Sequence, residues 1–266
     1  MRRSTTRWRE EEILTGRNPV REALLARRRR IHRVMLAEGV REREPIQHIL
    51  ALCHELDIPT TRVQRSDLDQ LSGTSSHQGV IAQVSPYPYV GISDILSFAQ
   101  ERGEPPFLLA LDCLQDPQNV GALLRTAEAV GMHGVILLTH RAVGITPAVS
   151  HASAGAAEHL LVATVTNLAR TLEEFKAKGL WVVGVEDHPL AQDYRYADLN
   201  MPLVLVLGSE GQGMRRLIAE KCDLLLRIPM KGRIGSLNVS VAGSILMYHA
   251  WNARQNLENS TQEDLS

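Results

Sequence analysis

The spacing of apolar positions changes once along the chain, and the change divides it. Before residue 85 the apolar residues come in short alternations. Val20, Leu24 and Leu25 mark a helix with Asn18 as its cap and Pro19 in the first helical position. A strand over 31–37 follows, then a helix over 45–56 with Ile46, Ile49, Leu50 and Cys53 on one face. A strand at 58–63, a short helix at 66–71 and a strand at 79–84 complete a small α/β unit, 14–84. Two Pro-rich clusters around a short polar helix read as a linker, 85–104. From 105 to 255 the apolar runs are longer and nearly continuous, predicting strands at 107–111, 134–138, 158–162, 180–185, 203–207 and 224–228. The helices predicted between them, at 117–130, 167–178, 214–220 and 238–254, imply a parallel sheet covered on both faces. Residues 1–13 read as a basic arm and 256–266, which lack periodicity, as a disordered tail.

Composition adds exclusions. With 44% hydrophobic and 22% charged residues over 266 positions, the chain has the make-up of a globular protein. No apolar run is long enough to cross a membrane, and the basic N-terminus lacks the apolar core of a secretory signal, while three scattered cysteines favour a reducing, cytoplasmic setting. Cys53, Cys113 and Cys222 stand far apart with no Cys-x-x-Cys, and the ten histidines show no ligand spacing, which argues against a metal site. The net charge of −1 conceals a basic block: residues 1–43 hold 13 Arg against 6 Glu. Such a block suits a polyanion, although a solvated helix face accounts for it equally well.

Three strand–loop–helix junctions carry candidate chemistry. In the first, Asp116 caps a helix that opens at Pro117, and Arg125 lies two turns along it on an otherwise apolar helix. A buried Arg there needs a carboxylate or a phosphate, and Glu128 or Glu210 would serve as an ordinary ion-pair partner. In the second, the apolar run 203–207 enters Gly208-Ser-Glu-Gly-Gln-Gly-Met214. The order G-x-x-G-x-G differs from the dinucleotide fingerprint G-x-G-x-x-G, so a nicotinamide reading is weak. In the third, the stretch 226–243, a strand ends at Pro229, a loop carries Gly232 and Gly235, and helix-like sequence resumes at Ser236-Leu-Asn238. Loops at the carboxyl ends of parallel strands converge on one ligand site in open α/β sheets.

These residues resemble the three motifs of the SpoU family of RNA ribose 2′-O-methyltransferases. The motifs are Asp116-Pro-Gln-Asn119 with Gly121 and Arg125, then 208–214, then Ile228-Pro-Met with Ser236-Leu-Asn-Val-Ser-Val-Ala242. Gly16-Arg-Asn-Pro-Val-Arg-Glu-Ala23 and His77-Gln-Gly-Val80 resemble that family's substrate-binding domain. The resemblance implies a C-terminal parallel-sheet α/β domain with a deep trefoil knot and S-adenosylmethionine as methyl donor. It implies Arg125, Asn119, Glu210, Ser236 and Asn238 as catalytic residues, and Gly208, Ile228, Met230 and Leu237 around the cofactor. It also implies RNA contacts at Arg17, Asn18, Arg21 and the arginine run 27–30, and a homodimer formed through the C-terminal domain with no metal. Within the family, the likeness to longer members points to a guanosine of 23S rRNA. A tRNA ribose methyltransferase, a resistance-type rRNA methylase and a non-catalytic RNA-binding assembly factor are the alternatives.

Overall fold

The computed structural model describes residues 11–263 except Gln212 and Ile234, with side chains described to residue 255. By its contacts the chain forms two units. The first runs to Pro88 and takes in Ile145–His159, and the second comprises Tyr89–Gly144 and the chain from Leu160 onward.

The first unit opens with β1 (Glu12–Thr15) and α1 (Arg17–Ala26), followed by β2 (Ile31–Ala37) and α2 (Ile46–Glu55). It continues with β3 (Thr60–Val63), α3 (Arg65–Ser72) and β4 (Val80–Val84), giving a sheet of order β1-β4-β2-β3. Only β2 and β3 pair in parallel. The helical stripe of α1 buries Val20, Ala23 and Leu24 against Ile46, Ile49 and Cys53 of α2. Gly16, with φ +97°, caps α1 in place of the predicted Asn18, which is exposed. Of the predicted arm 1–13, residues 1–10 lie outside the described residues, while Glu12 and Ile13 already belong to β1.

The second unit begins inside the predicted linker. α4 (Ile92–Glu101) is a core helix: Asp94 accepts from Gly91 N at 2.8 Å to fix its start, and Ile95 and Ala99 are fully buried. It reads as a linker because its polar residues face water and prolines flank it. β5 (Phe107–Leu111), α5 (Pro117–Ala129) and β6 (Gly134–Leu138) follow. A Cβ on Gly134 would lie 2.6 Å from Ile95, so α4 packs directly on β6.

The chain then contributes α6 (Pro147–Ala152) and a 3-10 turn, Ala156–His159, to the first unit. This corrects the strand predicted at 158–162. Glu158 is buried beside Arg29 and Ser150, and its N–H closes a turn on Gly155 O, so pairing starts only at β7 (Val162–Val165). α7 (Leu168–Ala177), β8 (Trp181–Val185), β9 (Gln192–Asp193), β10 (Leu203–Leu207), α8 (Arg216–Ala219), β11 (Leu224–Arg227) and α9 (Val239–Glu263) complete the second unit. α9 runs through the predicted tail to Glu263, because extending an existing helix needs no new nucleus.

The seven strands are parallel in the order β7-β6-β5-β10-β8-β11-β9. Register decides where their loops meet. Leu207 pairs with Leu111 on one side and with Val185 on the other, and Val185 pairs with Leu226. Four strands therefore end level, and the chain leaves them side by side at Asp112, Gly208, Glu186 and Arg227. This is the carboxyl edge, where open α/β sheets bind ligands.

Candidate active site

The loop after β10 folds back on itself through paired bonds between Ser209 and Gly213, at 3.0 and 2.9 Å. Gly208 makes this possible, since a Cβ there would lie 2.2 Å from the carbonyl carbon of Gly213 and from Met214 N. Asp112, buried at the end of β5, holds the loop's exit. Its carboxylate accepts from Arg215 N at 3.0 Å and from Arg215 Nε at 2.9 Å. That bond raises the Arg215 guanidinium pKa, outweighing burial.

Opposite stands the start of α5. The Asp116 carboxylate accepts from Gln118 N at 3.1 Å, as its capping role requires, and from Asn119 Nδ2 at 2.7 Å. Asn119 Nδ2 also donates to Glu210 Oε1 at 2.7 Å. Asn238 Nδ2, just before α9, donates to the same Glu210 oxygen at 2.7 Å and to Asn119 Oδ1 at 2.9 Å. One residue from each predicted loop thus meets in a closed triangle.

Beside this triangle lies a cavity of about 420 Å³, within the roughly 300–1,000 Å³ of small-molecule sites. Gly208, Glu210, Ile228, Met230, Ser236, Leu237 and Asn238 all line it. Leu207, Leu226, Val239 and Ala242 add apolar wall. The sequence reading missed Val185, Glu186 and Asp187 at the end of β8. An acidic pair directly after an apolar strand was the available signal, but only the strand order puts it beside β10. Burial raises the Glu186 pKa, with His188 opposing.

Arg125 lines neither this cavity nor the one next to it. It is exposed on α5 and forms no ion pair among the described residues, so the predicted partners Glu128 and Glu210 are not bound to it. The arginines of the first unit are more committed than the sequence suggests. Arg17 Nε donates to Gln78 O at 3.2 Å, and Arg21 pairs with Glu22 at 2.6 Å. In the run 27–30, Arg27 pairs with Glu55 and Arg28 contacts Tyr87. Arg29 is buried between Glu12 and Glu158, which removes it from any RNA surface.

An apolar cavity at the carboxyl edge of a parallel sheet, with a glycine loop on one side and a carboxylate–amide triangle on another, defines a cofactor-binding α/β enzyme. Residues 106–248 match the model of the SpoU rRNA Methylase family, and residues 13–90 match that of RNA 2′-O ribose methyltransferase substrate binding. The chain belongs to the SpoU family. It is 46% identical over 245 residues to the Bacillus subtilis (strain 168) protein named "Putative TrmH family tRNA/rRNA methyltransferase YacO", spanning 92% of this chain and 97% of that one. An AdoMet-bound rRNA methyltransferase from Sinorhizobium meliloti shares the fold, with TM-score 0.73 and 24% identity over 93% of this chain and 88% of that one. The A. aeolicus TrmH/SpoU tRNA modifying enzyme aligns with TM-score 0.54 and 29% identity over 58% of this chain and 78% of that one. The protein is an S-adenosylmethionine-dependent RNA ribose 2′-O-methyltransferase of a fold that typically carries a trefoil knot. The cavity fits that cofactor: apolar wall for an adenine, a loop whose Gly208 leaves no room for a side chain, and carboxylates for its cationic and hydroxyl groups. No group of three or more potential metal ligands occurs among the described residues.

Proposed function

We propose that the chain methylates a ribose 2′-hydroxyl of ribosomal RNA, a guanosine of 23S rRNA, and does so as a homodimer. The observation that carries the rRNA reading is the extent of the alignments. The rRNA enzyme aligns with 93% of the chain, whereas the tRNA-modifying enzyme aligns with 58%.

Gly208, Ile228, Met230 and Leu237 would hold S-adenosylmethionine in the cavity, where it would supply an electrophilic sulfonium methyl. The chain's own task is to set the 2′-oxygen in line with that methyl and let its proton leave. Asn119, Glu210 and Asn238 form the fixed wall at which the hydroxyl is oriented, and Ser236 adds a hydroxyl on the same side. Arg125 holds the RNA phosphate through its guanidinium, and phosphate or water accepts the proton. Arg17, Asn18 and Arg21 add contacts to the RNA backbone. The homodimer reading rests on α9, where Val241, Tyr248 and Trp251 are exposed apolar residues on a helix otherwise packed on α5.

The test is labelled methyl transfer to unmodified 23S rRNA, 16S rRNA and tRNA, with mapping of the alkali-resistant linkage. Label in one guanosine of 23S rRNA is expected; label in tRNA alone would overturn the rRNA reading. Arg125→Ala should abolish transfer and leave cofactor affinity intact. Light scattering should give the mass of two chains.

A further inference from the structure

A second cavity, of about 650 Å³, lies against the first and shares Ser209, Glu210, Gly213 and Val239 with it. The wall between them is therefore the same stretch that carries the carboxylate–amide triangle. A group-transfer enzyme with two substrates needs this arrangement, a donor on one side of the reacting groups and an acceptor on the other.

The charges around the second cavity are mostly committed. Asp116 and Glu210 accept from amides, Arg215 is bound to Asp112, and Arg216 pairs with Glu220 at 2.8 Å. Arg141 differs. It is exposed and lines the cavity, and its guanidinium has no hydrogen-bond or ion-pair partner among the described residues. Its backbone, in contrast, is fixed. Gln115 Nε2 donates to Arg141 O at 3.4 Å, and Val143 N donates to Leu114 O at 2.9 Å, clipping this loop to the one that precedes α5. A guanidinium held at a cavity mouth by its main chain, with no anion of its own, is suited to an anion on the ligand. Leu114 and Met214 give the interior an apolar face for a base.

We infer that this cavity receives the target nucleotide of the RNA, with Arg141 on its phosphodiester and the ribose against the Asn119–Glu210 wall. The inference rests on the RNA methyltransferase reading above and adds the acceptor pocket to it. The nucleotide enters unpaired, since a ribose and base inside a duplex cannot occupy a pocket of this kind.

The experiment compares wild type, Arg141→Gln and Arg141→Lys. It measures RNA binding against salt concentration, methyl-transfer kinetics, and cofactor affinity by calorimetry. Arg141→Gln is expected to raise KM for RNA about tenfold and lower the log–log salt slope by about one, with cofactor affinity unchanged. Arg141→Lys should recover most of the binding. A KM within about twofold of wild type and an unchanged salt slope in Arg141→Gln would overturn the inference. So would a parallel fall in cofactor affinity, the mark of a merely structural residue. Failure of wild type to methylate any RNA would instead strike the functional reading, and the salt-dependent binding would still report on Arg141.

Discussion

Asn238 donates its side-chain amide to Asn119 Oδ1 at 2.9 Å across 119 positions of sequence, and both amides converge on one oxygen of Glu210. Each amide also has a local bond, Asn119 Nδ2 donating to Asp116 at 2.7 Å and Ser240 N donating to Asn238 Oδ1 at 2.8 Å. The bonds between loops add the other amide and a carboxylate on a third loop, so the three behave as one unit.

Removing the shared acceptor therefore disturbs two residues at once. Glu210→Ala should lower kcat by about 10- to 100-fold, because small misplacements of orienting groups are costly in rate. Asn238→Ala should fall in the same range, and the double variant should be little worse than either single one. Single-turnover rates check this; losses that multiply in the double variant would show that the residues act independently.

Gly208 is predicted to tolerate no side chain. The methyl of Gly208→Ala would meet Gly213 and Met214 N at 2.2 Å, and the surroundings must shift at a cost of about 1–3 kcal/mol or more. A lowered melting temperature together with weakened cofactor binding is expected. An unchanged melt and affinity would mean that the Ser209–Gly213 closure does not define the loop.

In the first unit, the Arg29 side chain is wholly buried, 2.6 Å from Glu12 and 2.8 Å from Glu158. Burial raises the Glu158 pKa despite that guanidinium. Arg29→Met leaves Glu158 without its cation and should destabilise by about 3–5 kcal/mol, while adding Glu158→Leu should restore much of the loss. Denaturant unfolding measures both; a mild single variant would contradict the pairing.

His133 gives the second unit a sensitivity to pH. Its Nδ1 accepts from Phe107 N at 3.0 Å, and Nε2 lies 3.0 Å from Glu104, so the neutral ring is the form that fits. Burial holds its pKa below the ordinary 6.5, with Glu104 opposing. Below 6.5 the unfolded chain takes a proton that the folded one resists, so this contribution is complete above 6.5 and is lost as pH falls. The denaturation midpoint should drop between about pH 7.5 and about pH 5.5, and drop less in His133→Asn. Equal drops in both proteins would refute it.

The parallel sheet was legible because apolar runs such as 203–207 have no polar face to show. Asp116 and Pro117 announced α5 because capping is a local matter, settled within three residues. Two of the three site loops were legible as glycine-bearing strand ends, and the first through its helix cap. Glu186 was not, because its place beside Gly208 follows from β8 lying between β10 and β11, and strand order leaves no local trace. Arg29 was misread for a similar reason. A run of four arginines looks like one surface, yet one of the two carboxylates that hold the third is 129 residues away. α4 was misread because its flanking prolines were visible and its partner Ile95–Gly134 contact was not.

The inclusion of Ile145–His159 in the first unit bears on how the protein is made. During synthesis residues 11–88 emerge well before Glu158, so Arg29, already beside Glu12, waits for its second carboxylate while β5, α5 and β6 are being added. A nascent chain halted before residue 145 would carry an unfinished first unit, and a fragment cut at Pro88 would inherit the same defect. Residues 11–88 gain their last packing element only once residues 145–159 have been translated.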